Sequence, residues 1–237
     1  MRVDWQPALI LHKRAYRETS LQLDVLTQDY GVLGLIAKGV TSTKKHILRA
    51  QLQPLQHVKI CFQLKSELGL LTQSELLSDA LMVNGERLMA GMYFNELILK
   101  LCPRHDGDVE LFQLLLHGRN DLATTENLAW LVRRFERDLI THLGYMTPWS
   151  YSANGEQLEA VHFYRVHNEL GVLACEASAP GAVSGQDLIS FINDTLPSKP
   201  GLLQLRKIMH SVISLHLGNS VPRSWKTMGE LTQAMLK

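Results

Sequence analysis

The apolar residues of this chain keep a period of two over roughly its first 74 positions and a helical period over most of the rest. That single change restricts the architecture more than any other feature. A strand-rich part comes first and a helix-rich part follows, so the fold class is α+β. Residues 8–12 (ALILH) read as a first strand, and residues 13–18 as a charged connection. Residues 19–27 alternate: Leu21, Leu23 and Val25 point one way, Gln22, Asp24 and Leu26 the other. Residues 28–31 form a turn in which Gly31 can take positive φ. Residues 32–37 then pair with the second strand as a hairpin. Residues 52–61, with Pro54 suited to a strand start or an edge, and residues 68–71, after Leu64, supply two more strands. Five short strands with no helical pattern between them predict a small antiparallel barrel, of which the OB-like form is the commonest of this size.

Beyond residue 74 the spacing predicts helices over 87–101, with Leu88, Met92, Leu97 and Leu101 in phase and Pro103 ending it, and over 109–117. Asp106 and Asp108 precede the second of these, where the helix dipole favours carboxylates. Residues 128–143 form the strongest amphipathic pattern. Leu128, Leu131, Val132, Phe135 and Leu139 share a face that Arg133, Arg134, Arg137 and Asp138 mostly avoid. Thr124 or Thr125 is the expected cap, and Gly144 sits where a terminating glycine belongs. Residues 148–185 lose the helical period. Within them, 161–166 and 171–175 flank His167-Asn168-Glu169 as a hairpin inserted between helices. Helices resume at 185–193 and 201–217, and 221–237 hold a weaker one. The expected division is an OB-like barrel over 1–78, packed directly on a mostly helical domain over 79–237 that carries the 148–185 insertion.

A content of 46% hydrophobic and 20% charged residues in 237 is enough for a sizeable core. No run reaches the roughly 18–20 apolar residues of a membrane helix. Asp4 and Trp5 stand where a cationic leader would lie, so the expected location is cytoplasmic. Three dispersed cysteines, Cys61, Cys102 and Cys175, fit neither a disulfide framework nor a zinc motif. The first fifty residues carry eight basic and four acidic groups, a net +4, and the rest of the chain is net −3. Much of the excess lies in residues 31–49, where a strand empties past Lys38-Gly39 into Thr41-Ser42-Thr43 and then Lys44, Lys45, His46 and Arg49. Charged loops most often only face solvent, and on this stretch alone that is the default. A strand-anchored, glycine-jointed cationic loop is nonetheless what a polyanion-binding surface requires.

No phosphate-binding glycine loop, nucleophile elbow or HExxH motif is present. His162, His167 and Cys175 share one hairpin but lack a fourth ligand, and Asp106 and Asp108 are ordinary helix-start acids, so neither a metal nor any other cofactor is expected. No paired carboxylates suggest catalysis, so the chain reads as a non-enzyme.

Several segments together resemble a known family. Ala8-Leu9-Ile10-Leu11, Arg14 and Tyr16 to Leu21 resemble the opening of the bacterial recombination mediators of the RecO family, as do Thr27, Gly31, Ala37-Lys38-Gly39, Ser42, Leu48 and Leu52-Gln53-Pro54. Tyr93-Phe94-Asn95-Glu96-Leu97, the run from Leu131 to Glu136 with Leu139, and His142 to Tyr145 are similar to its helical motifs; His216-Leu217-Gly218 resembles its final glycine-terminated helix. The resemblance implies an N-terminal OB-fold, binding of single- and double-stranded DNA, annealing of complementary strands, and help in loading RecA onto strands coated by single-stranded DNA-binding protein (SSB), in the RecF pathway. It implies RecR and the acidic, hydrophobic C-terminal tail of SSB as partners, RecA as an indirect one, and a place at the nucleoid. Many members hold zinc on four cysteines in the insertion. Only Cys175 stands there in this chain, so a zinc-free variant is expected. The family's late Lys-Ser-Arg motif appears altered, as Val221-Pro222-Arg223-Ser224-Trp225.

On that basis Lys13, Arg14, Arg17, Lys38, Lys44, Lys45 and Arg49 are the expected phosphate contacts, with His46 joining below neutral pH. Tyr16, Tyr30 and Phe62 are the aromatics that residues 6–75 offer, so base stacking is expected to be weak. Arg133, Arg134, Phe135 and Arg137 are the expected tail-binding group, because an acidic tail ending in an aromatic needs a cation for its carboxylate and an apolar seat for its ring. The rival readings are a protein-only adaptor, which predicts no DNA affinity at low salt, and a nuclease with dispersed acids, which predicts metal-dependent turnover.

Overall fold

The computed structural model describes residues 1–40, 46–65, 67–146, 149–218 and 221–225. Two compact units emerge: residues 1–125 together with the segment from Pro222, and residues 126–221.

The first unit is built on five strands, β1 (Arg2–Tyr16), β2 (Ser20–Thr27), β3 (Gly31–Ala37), β4 (His57–Gln63) and β5 (Leu68–Leu76), with the short helix α1 (His46–Gln51) between β3 and β4. Their order is β1-β2-β3-β5-β4, and β4 also pairs with β1, so each strand has two partners in an OB-like sheet. Four of the ladders are antiparallel and β3–β5 is parallel. That parallel pair is a topological necessity, because five strands that each pair with two others cannot all alternate in direction. The inner face collects Ala8, Ile10, Leu21, Leu23, Val25, Leu33, Leu35, Val58, Ile60 and Phe62. The predicted alternation of β2 therefore holds on its inner side, but Gln22 and Leu26 on its outer side are buried as well.

Several boundaries differ from the sequence expectation. β1 runs on to Tyr16, so Lys13 and Arg14 are strand residues rather than part of a connection. Polar side chains hide this from a pattern reading, while the backbone pairs regardless. Residues 46–51 are helical, in a piece too short to display a period, and Pro54 lies in the turn that follows it rather than in a strand. The turn before β3 is as predicted, with Gly31 at φ +62°. A Cβ there would also come within 2.0 Å of the Asp106 carbonyl oxygen, a close approach that no local pattern reveals.

α2 (Gly85–Leu101) and α3 (Val109–Thr124) belong to this first unit. Where β1 shifts register between Ile10 and His12, the Asn95 side-chain amide donates to the Ile10 and Leu11 carbonyls at 3.2 and 2.9 Å. Leu55 N–H also donates to the Ile10 carbonyl, at 2.8 Å. The bulge thus leaves its carbonyls paired, as buried backbone requires. Tyr93, Phe94 and Leu97 are buried beside Asn95, whereas Leu88, expected in phase with the apolar face, is exposed. Asp108 caps α3 by accepting from Leu111 N–H at 2.9 Å.

In the second unit, α4 (Leu128–His142) is capped by Asn127, which accepts from Trp130 N–H at 2.9 Å; neither Thr124 nor Thr125 takes that role. The inserted hairpin is β6 (Phe163–His167) and β7 (Gly171–Cys175), and a two-residue strand β8 (Val183–Ser184) adds a third member in the order β7-β6-β8. α5 (Gly185–Ile192) and α6 (Lys199–His216) begin at Ser184 and Ser198. The buried Asp187 joins the two starts. It accepts from the Ser184 hydroxyl at 2.6 Å and from Ser198 N–H at 2.7 Å. Among the described residues no helix is long and apolar enough to cross a membrane.

Candidate nucleic-acid interface

Pairing register gathers the expected cations. Arg14 lies opposite Gln22, Tyr16 opposite Ser20, and Gln22 opposite Ile36, so the end of β1, the start of β2 and the end of β3 lie side by side. Arg17 follows in the β1–β2 turn and Lys38 directly after β3, and Arg14, Arg17 and Lys38 are all exposed. Lys13 lies opposite Leu23, whose side chain faces inward, so it projects at the mouth of the sheet. There it donates to the Gln53 side-chain carbonyl, and Gln53 in turn donates to the Arg49 carbonyl of α1 at 2.6 Å. Burial and the nearby Arg49 guanidinium both hold the Lys13 ammonium below its ordinary pKa. Two cations kept close, with no carboxylate paired to either among the described ion pairs, form a ready seat for an anion. His46 and Arg49 are exposed on α1. Lys44 and Lys45, also expected here, lie outside the described residues.

The expected aromatics fare differently. Phe62 is fully buried and Tyr30 packs edge-on against it, ring centroids 5.7 Å apart. Phe62 offers no face to a base, and Tyr30 is partly buried against it. Tyr16 stays partly exposed, with the Arg17 guanidinium 5.3 Å above its ring. Two residues missed by the sequence reading face the outside of the sheet. Arg104, after α2, reaches Asp24 of β2 at 2.7 Å. Its cationic value is offset there, and nothing in its local sequence marks it. Trp5 stands in β1 three residues before the predicted strand began, and it keeps 40% of its surface exposed. An extended run ending in an aromatic was the available signal.

The arginines of α4 separate into three environments. Arg133 points inward, only 6% exposed, and its guanidinium donates to the fully buried Glu136 carboxylate at 2.7 Å. The charge also acts on α6. Burial first, then Arg133 and Arg206, push the His210 imidazole down to about 3. Arg137 donates to Asp138, to Asp194 at 2.8 Å and to the Phe191 carbonyl, and lies 5.5 Å from the Phe191 ring; it ties α4 to the end of α5. Arg134 is the most accessible of the three, 37% exposed, and pairs with Asp194 at 2.9 Å. Phe135 is buried. The four expected tail-binding residues therefore share a helix but not a surface.

His162, next to Phe163, stands at the Cys175 end of the hairpin, and His167 stands at the other. Cys175 pairs opposite Phe163 at one end, and His167 lies opposite Gly171 at the other. His162 lies 3.4 Å from the Glu159 carboxylate, and His167 Nδ1 accepts from Glu169 and Leu170 N–H. Among the described residues no group of three or more His, Cys, Asp or Glu side chains comes together as a metal site.

Residues 1–79 match the family model for the Recombination protein O N terminal domain, and residues 82–226 the model for its C terminal domain. The chain is 35% identical over 238 residues to the DNA repair protein RecO of Xanthomonas oryzae pv. oryzae strain PXO99A, covering 98% of this chain and 99% of that one. It is 39% identical over 231 residues to the DNA repair protein RecO of Xylella fastidiosa strain M12, covering 95% of each. With both halves matched in order and relatives aligned over almost their full length, the chain belongs to the RecO family of DNA repair proteins.

Proposed function

We propose that this repair protein binds single- and double-stranded DNA through phosphate contacts, anneals complementary strands, and helps RecA load onto SSB-coated single strands. The observation that carries the reading is the grouping of Lys13, Arg14, Arg17, Lys38 and Arg49 at one end of the OB-like sheet. Annealing is opposed mainly by repulsion between two polyanions. A surface that neutralises phosphates lowers that barrier with no covalent step. Because phosphate contacts carry no sequence information, binding is expected to be indifferent to sequence and steeply weakened by salt. Lys44 and Lys45 add to the same group on the sequence argument alone.

Recognition of the SSB tail is assigned to α4, with Arg134 as the carboxylate partner because it is the arginine there that a peptide can reach. An incoming carboxylate has to compete with Asp194, and partly exposed pairs of this kind contribute only about 0–1 kcal/mol, so the exchange is cheap. Arg133 and Arg137 act on this surface by holding the helix rather than by touching the tail. RecR remains the further proposed partner.

The test is annealing of two complementary labelled oligonucleotides, bare and coated with SSB, without nucleotide. Faster annealing in both conditions is the expected result. Acceleration on bare DNA only removes the tail site. No acceleration and no binding at low salt overturns the DNA reading.

A further inference from the structure

We propose that Trp5 is a base-stacking platform for single-stranded DNA, lying across β4 from the Lys38 end of the OB-like unit. The proposal rests on the DNA-binding reading above and adds a second kind of contact to it.

Three observations converge on this side chain. The first is its backbone. Trp5 has φ +29°, in the left-handed region that residues with a Cβ avoid, and it sits where the β1–β4 register shifts between Val3 and Gln6. Bulges re-aim side chains, and strained residues concentrate where a side chain must be held in place. Trp5 N–H donates to the Cys61 sulfur at 3.3 Å, which anchors the bulge to β4. The second is the ring. A large apolar side chain is kept 40% exposed, in contrast to Phe62 and Tyr30 on the inner side. The third is charge. Lys59 Nζ lies over one face of the ring, 4.5 Å from its centroid, while also pairing with Glu75 at 2.7 Å.

An indole with a cation over one face and 40% of its surface exposed fits a nucleotide, stacked on its other face, better than it fits an apolar peptide. The ring takes the base, and because Glu75 offsets the Lys59 charge, the phosphates are left to the cationic strand end. The position also connects to the cationic end. Cys61 lies opposite Gln73 of β5, and Gln73 shares a surface depression with Lys38. Trp5 and that depression are thus separated by β4 alone, about two strand spacings of roughly 4.8 Å. A single strand held by its phosphates at Lys38 can lay a base on Trp5. A duplex, whose bases are stacked on one another, cannot.

The experiment measures binding of the full chain to oligo(dT) and to a duplex of equal length over a salt series, for the wild type, Trp5→Ala and Trp5→Phe, with tryptophan fluorescence recorded throughout. Loss of one base stack predicts that Trp5→Ala weakens single-strand affinity about 5- to 150-fold. Duplex affinity and the salt slope stay unchanged, because no phosphate contact is lost. Trp5→Phe keeps most of the affinity but loses the part of the oligo(dT)-induced quenching that Trp5 supplies, which tests the contact even if the alanine variant folds poorly. Equal affinity of Trp5→Ala and wild type for oligo(dT), equal loss on both DNA forms, or quenching that Trp5→Phe leaves untouched would each overturn the platform. In all three cases wild-type binding stands, whereas absence of wild-type binding overturns the DNA reading itself.

Discussion

At the scale of single residues, the family-like run Tyr93-Phe94-Asn95-Glu96-Leu97 shows how different physical demands can occupy five consecutive positions. Tyr93, Phe94 and Leu97 fill the interior, and Asn95 satisfies the carbonyls of the β1 bulge. Glu96 faces the other way and receives the returning segment: Arg223 N–H at 2.8 Å, Ser224 N–H at 3.0 Å and the Ser224 hydroxyl at 2.7 Å. Burial alone would raise the Glu96 pKa. The hydrogen bonds from Ser224 and Arg223, with Lys100 nearby, outweigh burial and hold it below the usual carboxylate value. A depressed carboxylate contributes stability that is fully present above the unfolded pKa of about 4.3 and is lost as pH falls through the lower folded value. Glu96→Gln is therefore expected to cost about 1–3 kcal/mol at neutral pH. Calorimetric melts from pH 7 to pH 3 check this: the gap in Tm between wild type and variant should close at the acid end, and a gap that stays constant with pH would exclude an ionic cap. This contact also gives the altered 221–225 segment a purpose, since it uses two main-chain N–H groups and a hydroxyl and needs no lysine.

At the scale of elements, what could be read in advance was set by repetition. α4 repeats its apolar face over fifteen residues, so its existence and its buried Leu131, Val132, Phe135 and Leu139 follow from spacing. α1 has six residues and β8 two, too few for any period, and both went unread. The charged end of β1 was unread for a different reason, because strand pairing there is a property of its neighbour β2 and not of its own side chains. Site residues are harder still. Arg133 and Arg134 are adjacent, chemically identical and 100° apart on the helix, and what distinguishes them is Glu136 and the packing of α6, both visible only in three dimensions. The two should differ sharply when truncated. Arg133→Ala strands a buried carboxylate and is expected to cost about 3–5 kcal/mol, whereas Arg134→Ala removes a half-exposed pair worth about 0–1 kcal/mol. Urea denaturation measures both, and equal midpoints for the two variants would contradict the inward placement of Arg133. It follows that only Arg134→Ala can test tail binding without confounding it with loss of fold.

At the scale of the whole molecule, the proposed DNA and tail surfaces should be removable one at a time. The modest +4 of the first fifty residues says little by itself, but folding brings Arg14, Arg17 and Lys38 together at adjacent strand ends, and a density of charge matters more to a polyanion than a total. Arg14 and Arg17 are exposed, and no carboxylate pairs with either among the described ion pairs, so reversing them leaves no buried charge behind. The double variant Arg14→Glu/Arg17→Glu should weaken binding at every DNA sequence alike. If each arginine meets one phosphate, the slope of log affinity against log salt should become shallower by about 1.8 on duplex DNA and about 1.4 on single strands. Fluorescence anisotropy over a salt series on two unrelated sequences reads both quantities. Annealing of bare strands should slow in this variant and be untouched in Arg134→Ala, while annealing of SSB-coated strands should slow in both. A variant pair that loses the two activities in parallel would mean one shared surface, and the assignment of phosphates to the strand ends and of the tail to α4 would then have to be withdrawn together.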